Sequence, residues 1–307
     1  MISKAIEMKL TDLIKEYLLA WILLSVGVGV AVPDVAVVTR VSTPILAVMI
    51  GSISLTLTVA QFREIDSRTL GLVLVGHVTM PFLAFGTARA LGLSPAVTVG
   101  FVVLGAVTPE LVTPVMTELA GGDTALSTTA LVFIGIGSVA FIPAVVALLV
   151  GGLAVPTMPI VEQLVVAVVA PMVIAVSARA RYPDRVRQYD AYYPAISAVM
   201  VILIIGGVTA ANAGVIRSNV QLLASIGVGV LVLNVIGYGV GYLVGSQAPR
   251  TVRIASILSV GMRDFAVAAT LILASGLPTI ASLPAVAFGV VEMVTSAGLA
   301  KWFTRQE

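Results

Sequence analysis

The chain has 307 residues, 59% of them hydrophobic and 10% charged, with a mean hydropathy of +1.12 and a formal net charge of +2. A water-facing domain carries roughly 25% charged residues, so the outer surface of this chain is expected to meet lipid. It contains no cysteine and one histidine. That excludes disulfide frameworks, thiolate metal sites, cysteine nucleophiles and a histidine-rich metal centre, and no basic tail interleaved with aromatics points to nucleic acid.

A helix crossing a bilayer needs about 20 mainly apolar residues. Apolar runs bounded by charge, proline or glycine predict ten spans, at 13–32, 43–61, 69–91, 95–119, 124–152, 159–179, 190–212, 219–245, 252–275 and 282–302. The first follows Lys4, Lys9 and Lys15 and reads as a span rather than a cleaved leader, since Val32-Pro33-Asp34 is a poor cleavage context. The narrowest separations are Gly121-Gly122-Asp123 between the fourth and fifth spans and the stretch between the ninth and tenth.

The basic residues test this layout, because Lys and Arg collect in cytoplasmic loops. With the N-terminus inside, the cytoplasmic side holds Lys4, Lys9, Lys15, Arg63, Arg68, Arg179, Arg181, Arg185, Arg187, Arg250, Arg253, Lys301 and Arg305. The outer side holds Arg40, Arg89 and Arg217, and Arg263 falls inside a span. The expectation is therefore a cell-membrane protein with both termini cytoplasmic. The polar loop 179–190 reads as a topology-setting loop rather than a domain.

The chain divides near Gly152–Pro159 into 1–152 and 153–307, each with five spans. An odd number of spans turns the second half upside down relative to the first, the inverted repeat recurrent in secondary transporters. Such proteins place their sites at interrupted helices in matching positions. The fourth span contains Thr108-Pro109-Glu110 and Thr113-Pro114, and each proline removes a backbone donor and crowds the preceding turn. The ninth contains Ser259-Val260-Gly261-Met262-Arg263-Asp264. These are the fourth spans of their halves, and Pro109, Pro114 and Gly261 are the expected breaks.

Ionisable groups at membrane depth are costly and usually pair or line a pathway. They are His77, Glu110, Arg263, Asp264 and Glu292, with Glu118 and Glu162 nearer span ends. Arg263 and Asp264, adjacent in sequence, are expected to have separate partners, with Glu110 or Glu292 as the mate of Arg263. His77 reads either as a proton acceptor or as a hydrogen-bonding strut. The run Gly237-x-x-x-Gly241-x-x-x-Gly245 reads as internal helix packing in preference to a dimer face.

The run from Pro109 through Val115-Met116-Thr117 to Asp123 and Ser127 resembles the fourth-helix motif of the bile acid:sodium symporter family. Val260-Gly261-Met262-Arg263-Asp264 resembles its ninth-helix motif, and His77-Val78-Thr79-Met80-Pro81 its third-helix segment. The resemblance implies an all-α membrane protein of ten helices in two inverted repeats. It further implies a panel of helices 1, 2, 6 and 7, a core of 3, 4, 5, 8, 9 and 10, and crossing helices 4 and 9. Several residues depart from the pattern. In the first sodium site, a Ser-Asn pair aligns with Thr113 and Pro114, an acidic ligand with Ser259 and a Thr with Leu131, while Ser127 is kept. In the second, two Gln ligands align with His77 and Arg263.

Sodium requires oxygen donors and a guanidinium offers none, so the residues predict that Na⁺ coupling is replaced by proton coupling or by uncoupled movement, with no metal and no cofactor. The expected function is alternating-access transport of a small organic anion, as a monomer or homodimer. The expected site is His77, Glu110, Thr113, Ser127, Ser259, Arg263, Asp264 and Glu292. The alternatives are a sodium-coupled organic anion symporter and a non-transporting membrane sensor or assembly protein. A channel is disfavoured by the few, mixed-sign charges, and a hydrolase by the want of a nucleophile–base pair.

Overall fold

The computed structural model describes residues 11, 13–14, 17–57, 67–151 and 157–305. Lys4, Lys9, Lys15, Arg63, the end of the second predicted span and most of the 152–159 divide lie outside them. Among the described residues the chain is helical throughout. The first part comprises α1 (Leu18–Ala31), a 3₁₀ segment (Pro33–Val41), α2 (Ser42–Ser54), α3 (Ser67–Ala90), α4 (Pro95–Ala106), α5 (Thr113–Leu119) and α6 (Thr124–Val150). Then come α7 (Thr157–Leu164), which runs through a π-helical turn (Val165–Val169) into α8 (Ala170–Arg181), and the short α9 (Pro183–Arg187). The remainder is α10 (Tyr193–Ala211), α11 (Ala213–Ser218), α12 (Val220–Val244), α13 (Arg250–Gly261), α14 (Phe265–Ala274), a 3₁₀ turn (Thr279–Ser282) and α15 (Leu283–Thr304).

Among the described residues eight stretches are long and apolar enough to cross a membrane, and Leu18–Ala31 and Pro95–Ala106 are apolar helices shorter than that. The difference from the ten predicted runs has a local cause. In the fourth run, apolar windows read straight through the interruption that ends α4 at Ala106, leaving it 12 residues long. An all-helical chain with this many apolar helices of spanning length is consistent with a multi-pass membrane protein.

The helix ends follow from local chemistry. Ser94 and Asp123 accept the N–H groups of Val97 (3.5 Å) and Leu126 (3.0 Å), capping α4 and α6, with Pro95 pre-set for the first turn of α4. Gly121 (φ +71°) lets the chain reverse between α5 and α6, a conformation that a side chain would strain.

The helices associate in two groups. The helix α10 packs against α1, α2 and the first 3₁₀ segment, and α2 also packs on α8. Separately, α3 packs on α4 and α12, α4 on α6, and α12 on α13 and α15. The most enclosed span is Arg250–Ala274, whose most apolar window is 89% buried against 33% for α3 and for α12. In lipid there is little hydrophobic drive between helices, so close approach of small residues matters more. A Cβ on Gly241 would sit 2.5 Å from Ile257 Cα, and one on Gly245 2.9 Å from Arg253 Cα. The Gly237/Gly241/Gly245 stripe is therefore the seat of α13.

Candidate functional site

The two predicted interruptions are present, and they touch. After Ala106 the chain leaves the helix, turns through Pro109-Glu110-Leu111 and resumes at Thr113. After Gly261 it does so again, resuming at Phe265. Asp264 N–H donates to Thr108 O at 2.9 Å, so backbone freed by one break is satisfied by the other. Pro109 lies in the first break. Pro114 does not break anything: it occupies the opening turn of α5, where its missing N–H is not needed. Gly261 is the last residue of α13 before the second break, and a Cβ there would lie 2.1 Å from the Tyr238 ring.

Each break exposes the negative C-terminal end of one half-helix and the positive N-terminal end of the next. The charges are arranged accordingly. Arg263, fully buried, sends Nη1 to Val107 O (3.2 Å) and Nη2 to Val260 O (2.9 Å), at the C-terminal ends of α4 and α13. Its Nη1 also meets His77 Nδ1. A guanidinium cannot accept, so His77 Nδ1 is the acceptor and the ring proton sits on Nε2. Asp264 Oδ1 accepts Val267 N–H at 2.9 Å, capping α14. The Glu110 carboxyl lies near the backbone N–H groups of Leu111 and Phe265, again at the start of α14.

The expected mate of Arg263 needs correction. Among the described residues no carboxylate lies within salt-bridge distance of its guanidinium. Glu292, fully buried on α15, instead accepts the backbone N–H of Arg263 at 2.9 Å. The guanidinium is held by carbonyls and an imidazole because the breaks place free carbonyl oxygens closer than any acid.

A second cluster lies beside the first. Thr113, Thr117, Ser127 and Ser259, from α5, α6 and α13, are all fully buried. Thr117 Oγ1 donates to Thr113 O (2.8 Å) and lies 3.2 Å from Ser127 Oγ, and Ser259 Oγ is 3.3 Å from Ser127 Oγ. Thr113 Oγ1 has no partner. All eight predicted site residues are thus buried, with Arg263, His77, Glu110, Asp264 and Glu292 around the breaks and Thr113, Ser127 and Ser259 on the α5/α6/α13 side, where Thr117 joins them. Glu118 and Glu162 are exposed.

Sequence reasoning missed the polar strut behind the breaks. Asn234, fully buried in α12, lies 3.4 Å from Gly261 O through its amide nitrogen and accepts from Thr295 Oγ1 at 2.8 Å. Thr295 Oγ1 is in turn 3.2 Å from the Tyr238 hydroxyl. A lone Asn in the middle of an apolar span was the available signal, and a search limited to ionisable groups passes over it. The loop at 179–190 also does more than set topology. Arg179 pairs with both carboxylate oxygens of Asp190 and donates to Leu55 O at 2.9 Å, tying the ends of α2 and α8 to the segment before α10.

Apolar helices long enough to span, together with two interrupted helices joined at a buried charged centre, define a polytopic membrane protein of the carrier type. The model of the Sodium Bile acid symporter family matches residues 43–219. The chain belongs to that family, and it is a membrane transporter of the bile acid symporter type rather than an enzyme. It is also similar to a protein of Bacillus subtilis (strain 168) named "Uncharacterized sodium-dependent transporter YocS". The two are 24% identical over 303 residues, covering 93% of this chain and 90% of the relative.

Proposed function

We propose that this protein carries a small organic anion across the cell membrane by alternating access, and that the Arg263 guanidinium takes the place of a coupling sodium ion. The single observation behind this reading is the position of that guanidinium, bound to Val107 O and Val260 O. Carbonyls at unwound backbone and half-helix C-terminal ends are the groups with which transporters hold Na⁺. Here a tethered cation uses them, and it neither dissociates nor crosses the membrane. Coupling then falls to a proton carried through Glu110, His77 or Asp264, or movement is uncoupled.

The accompanying architecture is ten crossings in two inverted repeats, 1–152 and 153–307, with both termini cytoplasmic. In this reading the α1/α2/α7–α8/α10 group is the panel, and α3–α6 with α12–α15 is the core. Cysteine placed at Thr113 tests alternating access. The reading predicts labelling by membrane-impermeant reagents from either side of a sealed vesicle, in alternation. Labelling from neither side under any condition would favour a closed, non-transporting protein.

One observation favours a sodium-coupled alternative. Thr113, Thr117, Ser127 and Ser259 gather four buried hydroxyl oxygens, and the relative is named as sodium-dependent. Saturable, Na⁺-specific stabilisation of the purified wild-type protein would establish that alternative.

A further inference from the structure

At the end of the bundle where α12 and α15 finish and α13 begins lies a cavity of about 310 Å³, whose wall includes the Tyr238 ring that lies against Gly261 of the second break. Its walls are Tyr238 and Tyr242 from α12, Arg250, Arg253 and Ile257 from α13, and Leu299, Trp302 and Phe303 from α15. No residue of α1, α2, α7, α8 or α10 lines it, so it is separate from any cleft between the two helix groups. Tyr242 and Trp302 are each more than half exposed and form its mouth.

The polar chemistry of the cavity is cationic. Arg250 Nη2 donates to Phe303 O at 2.6 Å, fixing the last turn of α15 against the first turn of α13. Arg253 lies over the Tyr242 ring, its guanidinium carbon 5.8 Å from the ring centre. Among the described residues no carboxylate lies within salt-bridge distance of Arg253. Lys301 and Arg305 stand on the last turns of α15, and neither 246–263 nor 293–305 contains an Asp or Glu. The helix α13 also opens without a side-chain cap, so its positive end faces this region.

We infer that this cavity binds the phosphate headgroup of an anionic phospholipid, with Arg253 as its principal ligand and the acyl chains lying along Tyr242 and Trp302. Basic pockets between transmembrane helices are a recurrent seat for such headgroups. A planar guanidinium matches phosphate oxygens two at a time. The apolar and aromatic remainder of the wall suits a lipid in place of a free hydrated anion, since Trp and Tyr settle at the membrane–water boundary. The leaflet, cytoplasmic by the distribution of basic residues, rests on the proposed orientation. The site's chemistry does not.

The test is titration of the purified full chain in detergent with phosphatidylglycerol, phosphatidylcholine or inorganic phosphate, reading the melting temperature. Phosphatidylglycerol should give a saturable rise that the other two do not. Arg253→Gln should weaken its apparent affinity at least fivefold, while Arg89→Gln, an exposed arginine on α3, should leave it unchanged. Leu299→Trp, which fills the cavity without altering charge, should abolish the response, and it decides the matter if Arg253→Gln does not fold. An equal response in Arg253→Gln or Leu299→Trp would overturn the inference. So would an equal response to phosphatidylcholine, or a match by inorganic phosphate alone, which would mean a free-anion site.

Discussion

Arg263→Gln is the most informative single substitution. It removes the positive charge and the fork that bridges Val107 O, Val260 O and His77 Nδ1. Hydrogen bonds from a charged donor contribute about 1.5–3 kcal/mol each. The Gln amide recovers some of that, but Glu110, Asp264 and Glu292 then share the core with no fixed cation. Breaking one partner out of a buried charged centre costs about 3–5 kcal/mol, and that is the expected loss. The same change frees two carbonyls beside three acids, so the variant should acquire an affinity for Na⁺ that the wild type lacks. Sodium at tenfold its Kd would return about 1.4 kcal/mol. Unfolding of purified protein in detergent, with NaCl or KCl at equal ionic strength, measures both effects. Arg263→Lys, which keeps the charge but not the fork, should fall between. A glutamine variant as stable as the wild type and indifferent to Na⁺ would refute the reasoning.

Other substitutions probe the supports. Glu292→Ala leaves the buried Arg263 N–H unpaired and should cost about 1–3 kcal/mol, while Glu162→Ala, at an exposed position, should stay within about 0.5 kcal/mol on the same melting assay. Gly241→Ala drives a methyl into the backbone of α13, and Gly239→Ala meets open space. The first should therefore lower the melting temperature by the equivalent of about 1–3 kcal/mol or prevent folding, and the second should be neutral or stabilising. Asn234→Leu should destabilise the protein by about 1–3 kcal/mol by taking the amide donor from Gly261 O and the acceptor from Thr295 Oγ1. An unchanged melting temperature would remove Asn234 from the support of the second break.

Much of this was legible in the sequence because lipid imposes strict terms. Apolar runs mark helices, and a proline or a glycine beside charges marks where one stops, so the interruptions after Ala106 and Gly261 fall where Pro109 and Gly261 predicted them. The five buried ionisable groups around the breaks were equally visible, since a charge at membrane depth has to face the interior. Their pairing was not. Opposite charges suggested an Arg263–acid bridge, whereas backbone carbonyls, whose availability depends on the path of the break, took the guanidinium. Pro114 misled for a related reason: the same residue ends one helix or begins another according to its place in the turn. The cavity under Arg253 was hidden because it assembles from side chains of three helices, α12, α13 and α15, whose facing sides depend on how they pack.

The central claim is that a tethered guanidinium does the work of a coupling sodium ion, and the melting curve of the wild-type protein tests it most directly. Purified chain is unfolded across a concentration series of NaCl and of KCl, with ionic strength held constant by choline chloride. The account predicts superimposable melting temperatures in the two salts at every concentration. A saturable rise in NaCl that KCl does not reproduce would contradict it, and would return the hydroxyl cluster of Thr113, Thr117, Ser127 and Ser259 to the role of a sodium site.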